Sequence, residues 1–176
     1  MTSPRNALPD RIETARLLLR EPVRDDVPAL VRLADNPRIA ERLLRLPHPY
    51  TRADGLAFVE ILAPREDNRV YAITRGGTFV GIVSLMFSET QAPELGYWLG
   101  EPFWGDGLMS EALGALLAAA AATGAFPVIR ARALASNGAS LRILQKSGFV
   151  RTGSVLEASA GRAPRLHVHL LLEDRP

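Results

Sequence analysis

The chain has 176 residues, of which 47% are hydrophobic and 23% are charged, and its 21 basic and 19 acidic residues leave a net charge of +2. This composition indicates a single globular domain, residues 1–176, that is long enough to bury a sizeable core. No cysteine is present, which excludes disulfides, thiolate metal sites and cysteine nucleophiles.

The charge pattern also narrows the expected partners and compartment. Basic residues lie among acidic ones with no interleaved aromatic cluster, so we expect a solvated surface and no nucleic-acid partner. The N-terminus lacks the apolar core of a signal peptide, and the longest apolar run, residues 112–122, is too short to span a bilayer. We therefore expect a cytoplasmic protein without membrane contact.

The first part of the chain predicts one strand followed by helices. Residues 16–20, Arg-Leu-Leu-Leu-Arg, predict the strand. Three helical segments are expected after it, at about residues 24–34, 36–46 and 51–62. Asn36 and Thr51 are the residues that we expect to cap the second and third of these helices.

The second part of the chain predicts a sheet. Gly76-Gly77 predicts a hairpin turn between strands at residues 70–74 and 78–87. Further strands are predicted at residues 94–99, 128–135, 149–156 and 166–172, and two helices at residues 110–122 and 139–146. Helices that cover a mostly antiparallel sheet make this a mixed α+β domain.

The most informative stretch is the turn between the strand at residues 94–99 and the helix after it. The turn holds Gly105 and Gly107, and a strand, a glycine turn and a helix start together favour anion binding, as for a phosphate group. The alternative is a plain strand-to-helix turn. The nucleotide P-loop pattern does not fit, because no Lys-Ser/Thr follows, and the dinucleotide pattern lacks its third glycine.

A second strand–helix unit lies at residues 135–150. Its strand ends at Asn137, Ser140 lies in the first turn of the following helix, and Gly148 ends that helix. Asn and Ser are common helix caps, so a capping role alone is the alternative to a functional one.

Taken together, these motifs resemble a known family. Trp104-Gly-Asp-Gly-Leu-Met is similar to the acetyl-CoA pyrophosphate loop of the GNAT N-acetyltransferases, Arg/Gln-x-x-Gly-x-Gly/Ala, and residues 137–149 resemble the next strand–helix unit of that family. Residues 13–20 and 95–99 resemble its Rim-type branch, the ribosomal-protein N-terminal acetyltransferases. The resemblance covers a core from about residue 13 to residue 172.

Three departures from the family pattern are visible. Trp104 replaces the usual Arg or Gln, and Met109 replaces the usual final small residue. Residues 162–169 lack the acidic residue that the pattern leads us to expect ahead of the last strand. The last departure concerns the acceptor side more than the cofactor side.

The resemblance implies a GNAT-like fold, with a central, mostly antiparallel, splayed sheet of about seven strands flanked by helices. The pantetheine arm of acetyl-CoA would enter where the strand at residues 94–99 splays from that at 128–135, and would pair with backbone groups there. The expected cofactor contacts are Tyr97, Leu99, the loop residues Trp104, Gly105, Asp106 and Gly107, the N–H groups of Leu108, Met109 and Ser110, and the side chains of Asn137 and Ser140.

The implied chemistry is acyl transfer from a thioester to an amine. The amine must lose a proton and the thiolate must be stabilised as it leaves. Ser140 is our candidate at the sulfur. Glu94 is our candidate base, acting directly or through water, and a solvated carboxylate at a strand start is the equal alternative. For Tyr97, a core aromatic role is favoured over use of its hydroxyl.

The function that we predict is an acetyl-CoA-dependent N-acetyltransferase, in which the amine attacks the thioester directly within a ternary complex. The expected acceptor is a protein or peptide N-terminal α-amine, and a small-molecule amine is the alternative. A non-catalytic acyl-CoA-binding module is the rival outside the enzyme class. His167 and His169 share a strand face but lack further ligands, so no metal is expected. A homodimer would agree with the resemblance.

Overall fold

One sheet of eight strands forms the centre of the computed structural model, which describes residues 3–159 and 162–173. The strands are β1 (Arg11–Glu13), β2 (Leu18–Arg20), β3 (Asn68–Arg75), β4 (Thr78–Met86), β5 (Glu94–Leu99), β6 (Val128–Leu134), β7 (Val150–Ser159) and β8 (Arg162–Glu173). Their order across the sheet is β1-β2-β3-β4-β5-β6-β8-β7. Neighbours are antiparallel except for β5 and β6, which are parallel.

Helices lie on both faces of this sheet. They are α1 (Pro4–Ala7), α2 (Val27–Ala34), α3 (Pro37–Ala40), α4 (Arg52–Ala57), α5 (Leu108–Thr123) and α6 (Gly138–Lys146). Short 3₁₀ turns occur at Arg24–Asp26 and Glu101–Phe103, and a π-helical turn, Phe58–Leu62, continues α4. No helix in the described ranges is long and apolar enough to cross a membrane.

Alternating side chains divide the interior into two cores. On β3, Tyr71 and Ile73 pack into the core that also holds the buried stripe of α5. Val70 and Ala72, which alternate with them, pack into the core that holds residues of α2 and the α4 region. Since successive strand residues point to opposite faces, the two cores lie on opposite sides of the sheet.

The parallel pair β5–β6 is incomplete, and this break positions the site. The register joins Glu94 to Arg130 and Leu95 to Ala131, and no further pair follows along these strands. On its other side, β6 pairs with β8 from Val128 to Leu134. The strands at residues 94–99 and 128–134 therefore diverge after Leu95, which confirms the expected splay.

The mixed α+β class is confirmed, with two corrections to the predicted elements. The sheet has eight strands where about seven were expected. The additional strand is β1, which the sequence did not reveal because it is only three residues long and shows no periodicity. The helix predicted to run to residue 46 ends at Ala40. Beyond it, the Arg162 guanidinium donates to the carbonyls of Ala40 at 2.7 Å and Leu43 at 3.1 Å, so these groups are satisfied without a helix.

Three cap predictions are confirmed by the structure. The Asn36 side chain accepts from the Arg38 N–H at the start of α3. Thr51 accepts from the Asp54 N–H, while the Asp54 carboxylate accepts from the Thr51 N–H, which forms a capping box at α4. Gly148 follows α6 with φ of 92°, a conformation that favours glycine.

Candidate active site

A cavity of about 1070 Å³ opens where β5 and β6 diverge. One end lies between the turn before α5, residues 104–110, and the start of α6, residues 137–146. The other end lies against residues 39–50 and 54–68, on the opposite face of the sheet. We call the first end the cofactor half and the second the acceptor half, following the predicted places of acetyl-CoA and the amine.

The glycine turn has the open backbone that an anion needs. Gly105 and Gly107 have φ of 90° and 73°, in the left-handed region that favours glycine. Among the described residues, a Cβ at Gly105 would meet no atom within 4 Å, and one at Gly107 would meet Arg16 alone. The space beside the turn is therefore free for a ligand.

Helix α5 starts at Leu108, two residues earlier than predicted. Gly107 occupies the N-cap position, where the sequence offers no capping side chain to reveal the boundary. As a result, the N–H groups of Leu108, Met109 and Ser110 all lie in the first turn, where they have no partner within the helix. The side chains of Leu108 and Met109 belong to the core, so it is the backbone of this turn that is available to a ligand.

A cation beside the turn was missed by the sequence reasoning, which assigned Arg16 only to a strand. The Arg16 Nη1 donates to the Asp106 carbonyl at 3.0 Å, and its Nε donates to Glu111 at 2.6 Å. The hydrogen bond from Thr14 and the contacts of Arg16 keep the pKa of Glu111 below its usual value. Asp106 itself does not line the cavity, and its carboxylate lies 3.5 Å from Arg75.

The diverging edge of β5 presents backbone groups to the cavity. The Gly100 N–H donates to Val80 on β4, so alternate residues of β5 bond to β4, and Leu95, Tyr97 and Leu99 face β6. Beyond Leu95, no described residue of β6 pairs with them. This is the edge that the sequence analysis assigned to the pantetheine arm.

Trp104 occupies part of that edge. Its Nε1 donates to the Leu99 carbonyl at 2.7 Å, so this predicted cofactor contact is held by a side chain of the protein. The guanidiniums of Arg38 and Arg42 lie 5.3 and 5.0 Å from the Trp104 ring centroid. These two arginines bring positive charge to the position where the family pattern has Arg or Gln.

Ser140 and Tyr97 meet across the break in the sheet. Their hydroxyl oxygens lie 2.7 Å apart, so the Tyr97 hydroxyl is more than part of a core aromatic. Burial raises the pKa of Tyr97 to about 12, although its hydrogen bond to Ser140 acts in the opposite direction. Tyr97 is therefore protonated near neutral pH and able to donate.

The residue that caps α6 is Asn137. Its Oδ1 accepts from the Ser140 N–H at 3.2 Å, and both residues line the cavity. Asn137 therefore caps α6, and its predicted contact with the cofactor stays a prediction. Capping does not explain the hydroxyl of Ser140, which bonds to Tyr97.

Glu94 lies at the base of the diverging strands and is 7% exposed. Arg132 Nε donates to its Oε1 at 2.9 Å, and Arg130 Nη2 lies 2.9 Å from its Oε2. The alternative of a solvated carboxylate does not describe this buried ion pair. Any role as a base has to accommodate two arginines that already occupy its oxygens.

The neighbouring strand β7 brings an acidic side chain, that of Glu157, next to the last strand, β8. Glu157 of β7 accepts from Arg132 Nη1 at 2.6 Å and lies 2.7 Å from the His169 Nε2 on β8. Burial opposes ionisation of Glu157, but the charge of Arg132 and the bond from His169 outweigh it and lower its pKa. Residues 162–169 themselves contain no acidic residue, because strand pairing brings the carboxylate from residue 157.

The segment that lines the acceptor half is held in place by arginines from β8. Besides Ala40 and Leu43, the Arg162 guanidinium donates to the Leu46 carbonyl at 3.3 Å, and Arg165 donates to the Glu41 carbonyl. Residues 40–46, most of which line this half of the cavity, therefore depend on a distant hairpin for their position. We call this contact the arginine clamp.

All but one of the predicted site residues line the same cavity, and Asp106 is the exception. In comparisons with known proteins, a family model for the acetyltransferase (GNAT) domain matches residues 16–150. No curated protein matches the chain.

Solved structures share the fold over nearly the whole chain. A structure from T. thermophilus that carries the name acetyltransferase is 27% identical, with TM-score 0.81 and coverage of 94% of this chain and 89% of that one. RimL, a ribosomal L7/L12 alpha-N-protein acetyltransferase in complex with CoA, is 24% identical, with TM-score 0.81 and coverage of 93% and 97%. The microcin C7 self-immunity acetyltransferase MccE, in complex with acetyl-CoA and AMP, is 18% identical, with TM-score 0.81 and coverage of 92% and 94%. The last two show the fold alone.

Proposed function

The chain belongs to the GNAT acetyltransferase family and uses acetyl-CoA as its co-substrate, and from this premise we propose that it acetylates the N-terminal α-amine of a protein or peptide. Support comes from the Rim-type pattern of residues 13–20 and 95–99. It also comes from the fold shared with RimL, which is named as an alpha-N-protein acetyltransferase. A small-molecule amine is the alternative acceptor.

One observation carries the reaction. An open glycine turn, an unpaired strand edge and a pair of bonded hydroxyls meet at a single break in the sheet. The turn and the first N–H groups of α5 fit a pyrophosphate, while Arg16 adds positive charge next to them. The backbone of Tyr97 fits an extended amide-bearing arm, which would replace the missing strand.

Ser140 and Tyr97 act on the leaving group. When the amine nitrogen bonds to the thioester carbon and the C–S bond breaks, the Ser140 hydroxyl donates to the thiolate. Tyr97, which is kept protonated by burial, supplies a proton to Ser140 through their 2.7 Å hydrogen bond, and the proton that the new amide nitrogen loses restores the pair. Serine alone is a weak acid, so this pairing matters.

A base on the acceptor side completes the mechanism, because the α-amine is largely protonated near neutral pH. Glu94 stays our sequence-derived candidate for it. Because both its oxygens are engaged by arginines, we propose that any transfer to Glu94 passes through a bound water. The same contacts give Glu94 a second role, which is to balance the charges of Arg130 and Arg132.

The test is a turnover assay on the full-length chain. We would incubate it with acetyl-CoA and peptides that differ in their N-terminal residue, together with a panel of small amines, and measure free thiol. Each peptide is matched by the same peptide with a blocked N-terminus and its lysines intact. We expect thiol release only from unblocked peptides.

Other outcomes of this assay separate the alternatives. Thiol release with small amines alone would show that the acceptor is a small-molecule amine. Release from blocked peptides would indicate lysine acetylation. Calorimetric binding of acetyl-CoA without thiol release from any amine would identify a non-catalytic acyl-CoA-binding module.

A further inference from the structure

His167 is a buried histidine that the proposed mechanism leaves unused. It lies on β8 and is only 2% exposed. It is nevertheless among the residues that line the cavity. In the sheet it stands opposite Leu134 of β6, at the end of that strand where the ladder to β5 is already lost. The ring therefore belongs to the opening through which the acceptor must reach the thioester.

The hydrogen bond of His167 determines which ring nitrogen carries the proton. Nδ1 lies 3.0 Å from the Arg165 carbonyl oxygen. A carbonyl can only accept, so Nδ1 holds the hydrogen, and in the neutral ring Nε2 keeps its lone pair. Among the described residues, Nε2 has no hydrogen-bond partner. A lone pair on a cavity-lining imidazole is what a general base requires.

The surroundings of His167 are able to hold the charge that it gains on protonation. The Glu157 Oε2 lies 3.9 Å from its Nδ1, and Glu157 is kept ionised by Arg132 and by its bond from His169. Glu94 differs from His167, because both oxygens of its carboxylate are already bonded to guanidiniums.

We infer that His167 is a further catalytic residue of this enzyme, and that its Nε2 accepts the proton that leaves the acceptor ammonium. The inference rests on the proposed function. The ammonium loses this first proton to His167, and the neutral nitrogen then bonds to the thioester carbon as the C–S bond breaks. The second N–H proton passes to the thiolate by way of Ser140 and Tyr97, and His167 releases its proton to water.

A network of charged groups on the neighbouring strands reaches the ring through Glu157. Glu157 of β7 lies 3.9 Å from the ring, Arg132 of β6 joins it to Glu94 of β5, and Arg165 and His169 share β8 with His167. Since several of these titrate, one pH profile would not identify the base. A comparison of matched variants does.

The experiment measures kcat from pH 5.5 to 9 for the full-length wild type, His167→Gln, Glu94→Gln and the matched control His169→Gln, with acetyl-CoA affinity measured by calorimetry. We expect His167→Gln to lower kcat by about a hundredfold and to lose the acidic limb of the profile, with acetyl-CoA affinity unchanged. Glu94→Gln and His169→Gln should keep the acidic limb. Glu157→Gln should also lower kcat, because it removes the anion that lies beside the ring when His167 takes the proton.

Two results would overturn the inference. One is a His167→Gln variant that binds acetyl-CoA and keeps both the wild-type kcat and the acidic limb. The other is loss of the limb in Glu94→Gln instead. If His167→Gln does not bind acetyl-CoA, the loss of kcat expected in Glu157→Gln decides, and an unchanged kcat in that variant counts against His167. Absence of thiol release from the wild type contradicts the proposed function itself, so the two failures are distinct.

Discussion

The two halves of the cavity are built in different ways. The cofactor half is made mainly of backbone, with two glycines, the first N–H groups of α5 and an unpaired stretch of β5. The acceptor half depends on side chains from distant parts of the chain. Glu94, Arg132 and His167 line the cavity, while Glu157 bonds to Arg132 and Arg162 holds residues 40–46. A backbone site tolerates most substitutions except at its glycines, whereas a side-chain site depends on each partner.

The largest effect that we predict tests the cofactor half. Gly107→Glu should weaken acetyl-CoA binding by at least about a hundredfold, because it adds a Cβ at positive φ and a negative charge where the phosphates belong. Calorimetry measures the affinity. Binding as tight as in the wild type would remove the glycine turn from the site.

Two controls separate charge from backbone strain in this experiment. Gly114→Glu places the same charge on the exposed face of α5, where a Cβ meets no atom within 4 Å, and it should bind acetyl-CoA normally. Gly107→Asn introduces a side chain that tolerates the left-handed conformation without adding charge. It should lose much less affinity than Gly107→Glu.

The next effect tests the point where the two halves meet. Ser140→Ala and Tyr97→Phe should each lower kcat by roughly ten- to a hundredfold, with little change in acetyl-CoA affinity. The kcat of the double variant should be close to that of the more impaired single variant, since the two hydroxyls act as one bonded pair. Steady-state kinetics check this result.

The control for this pair lies at the other end of the same helix. The Ser147 hydroxyl donates to the Ile143 carbonyl, and Ser147→Ala should affect only stability. A Ser140→Ala variant with a lower Tm and unchanged turnover would show that the hydroxyl is structural and that leaving-group protonation comes from elsewhere.

A smaller effect tests the acceptor half. Arg162→Ala should raise the KM for the acceptor by about three- to tenfold, because residues 40–46 lose the arginine clamp, and it should leave acetyl-CoA affinity unchanged. Arg151→Ala, at an exposed arginine on β7, is the matched control. Equal losses of acceptor and acetyl-CoA binding would mean that the clamp supports the whole fold instead of one half.

The smallest effect concerns the pH dependence of stability. Glu157 has a lowered pKa in the folded state, so it adds stability above the pKa of the unfolded chain and loses that contribution as the pH falls through the folded value. The difference in Tm between wild type and Glu157→Gln should therefore be largest near neutral pH and shrink below about pH 4. Thermal melts from pH 3 to 7 measure it, and a difference that is constant with pH would contradict the assignment.

The same division explains which parts of the site could be predicted. The strand at residues 94–99 and the glycine turn follow from local signals, namely a short apolar run and two glycines ahead of a helix. The start of α5 was predicted two residues late, because Gly107 caps it by conformation and offers no capping side chain. Local sequence is sufficient where the backbone itself forms the site.

The acceptor half was predicted poorly, because its contacts join residues far apart in the chain. The end of α3 depends on Arg162, and the carboxylate beside the last strand comes from Glu157 on its neighbour. His167 was considered only as a metal ligand, since no local pattern reveals a carbonyl that fixes its tautomer. The clusters at this end exist only once the strands have paired.

The arginine clamp has a consequence for how the protein matures during synthesis. Arg162 and the Ala40 carbonyl that it binds are 122 residues apart. At typical rates of translation, these two parts of the clamp emerge on the order of ten seconds apart. The glycine turn and α5 are synthesised within that interval. Residues 40–46 therefore wait for their partner while most of the chain is being made, and the acceptor half reaches its final shape only when the last strand has been synthesised.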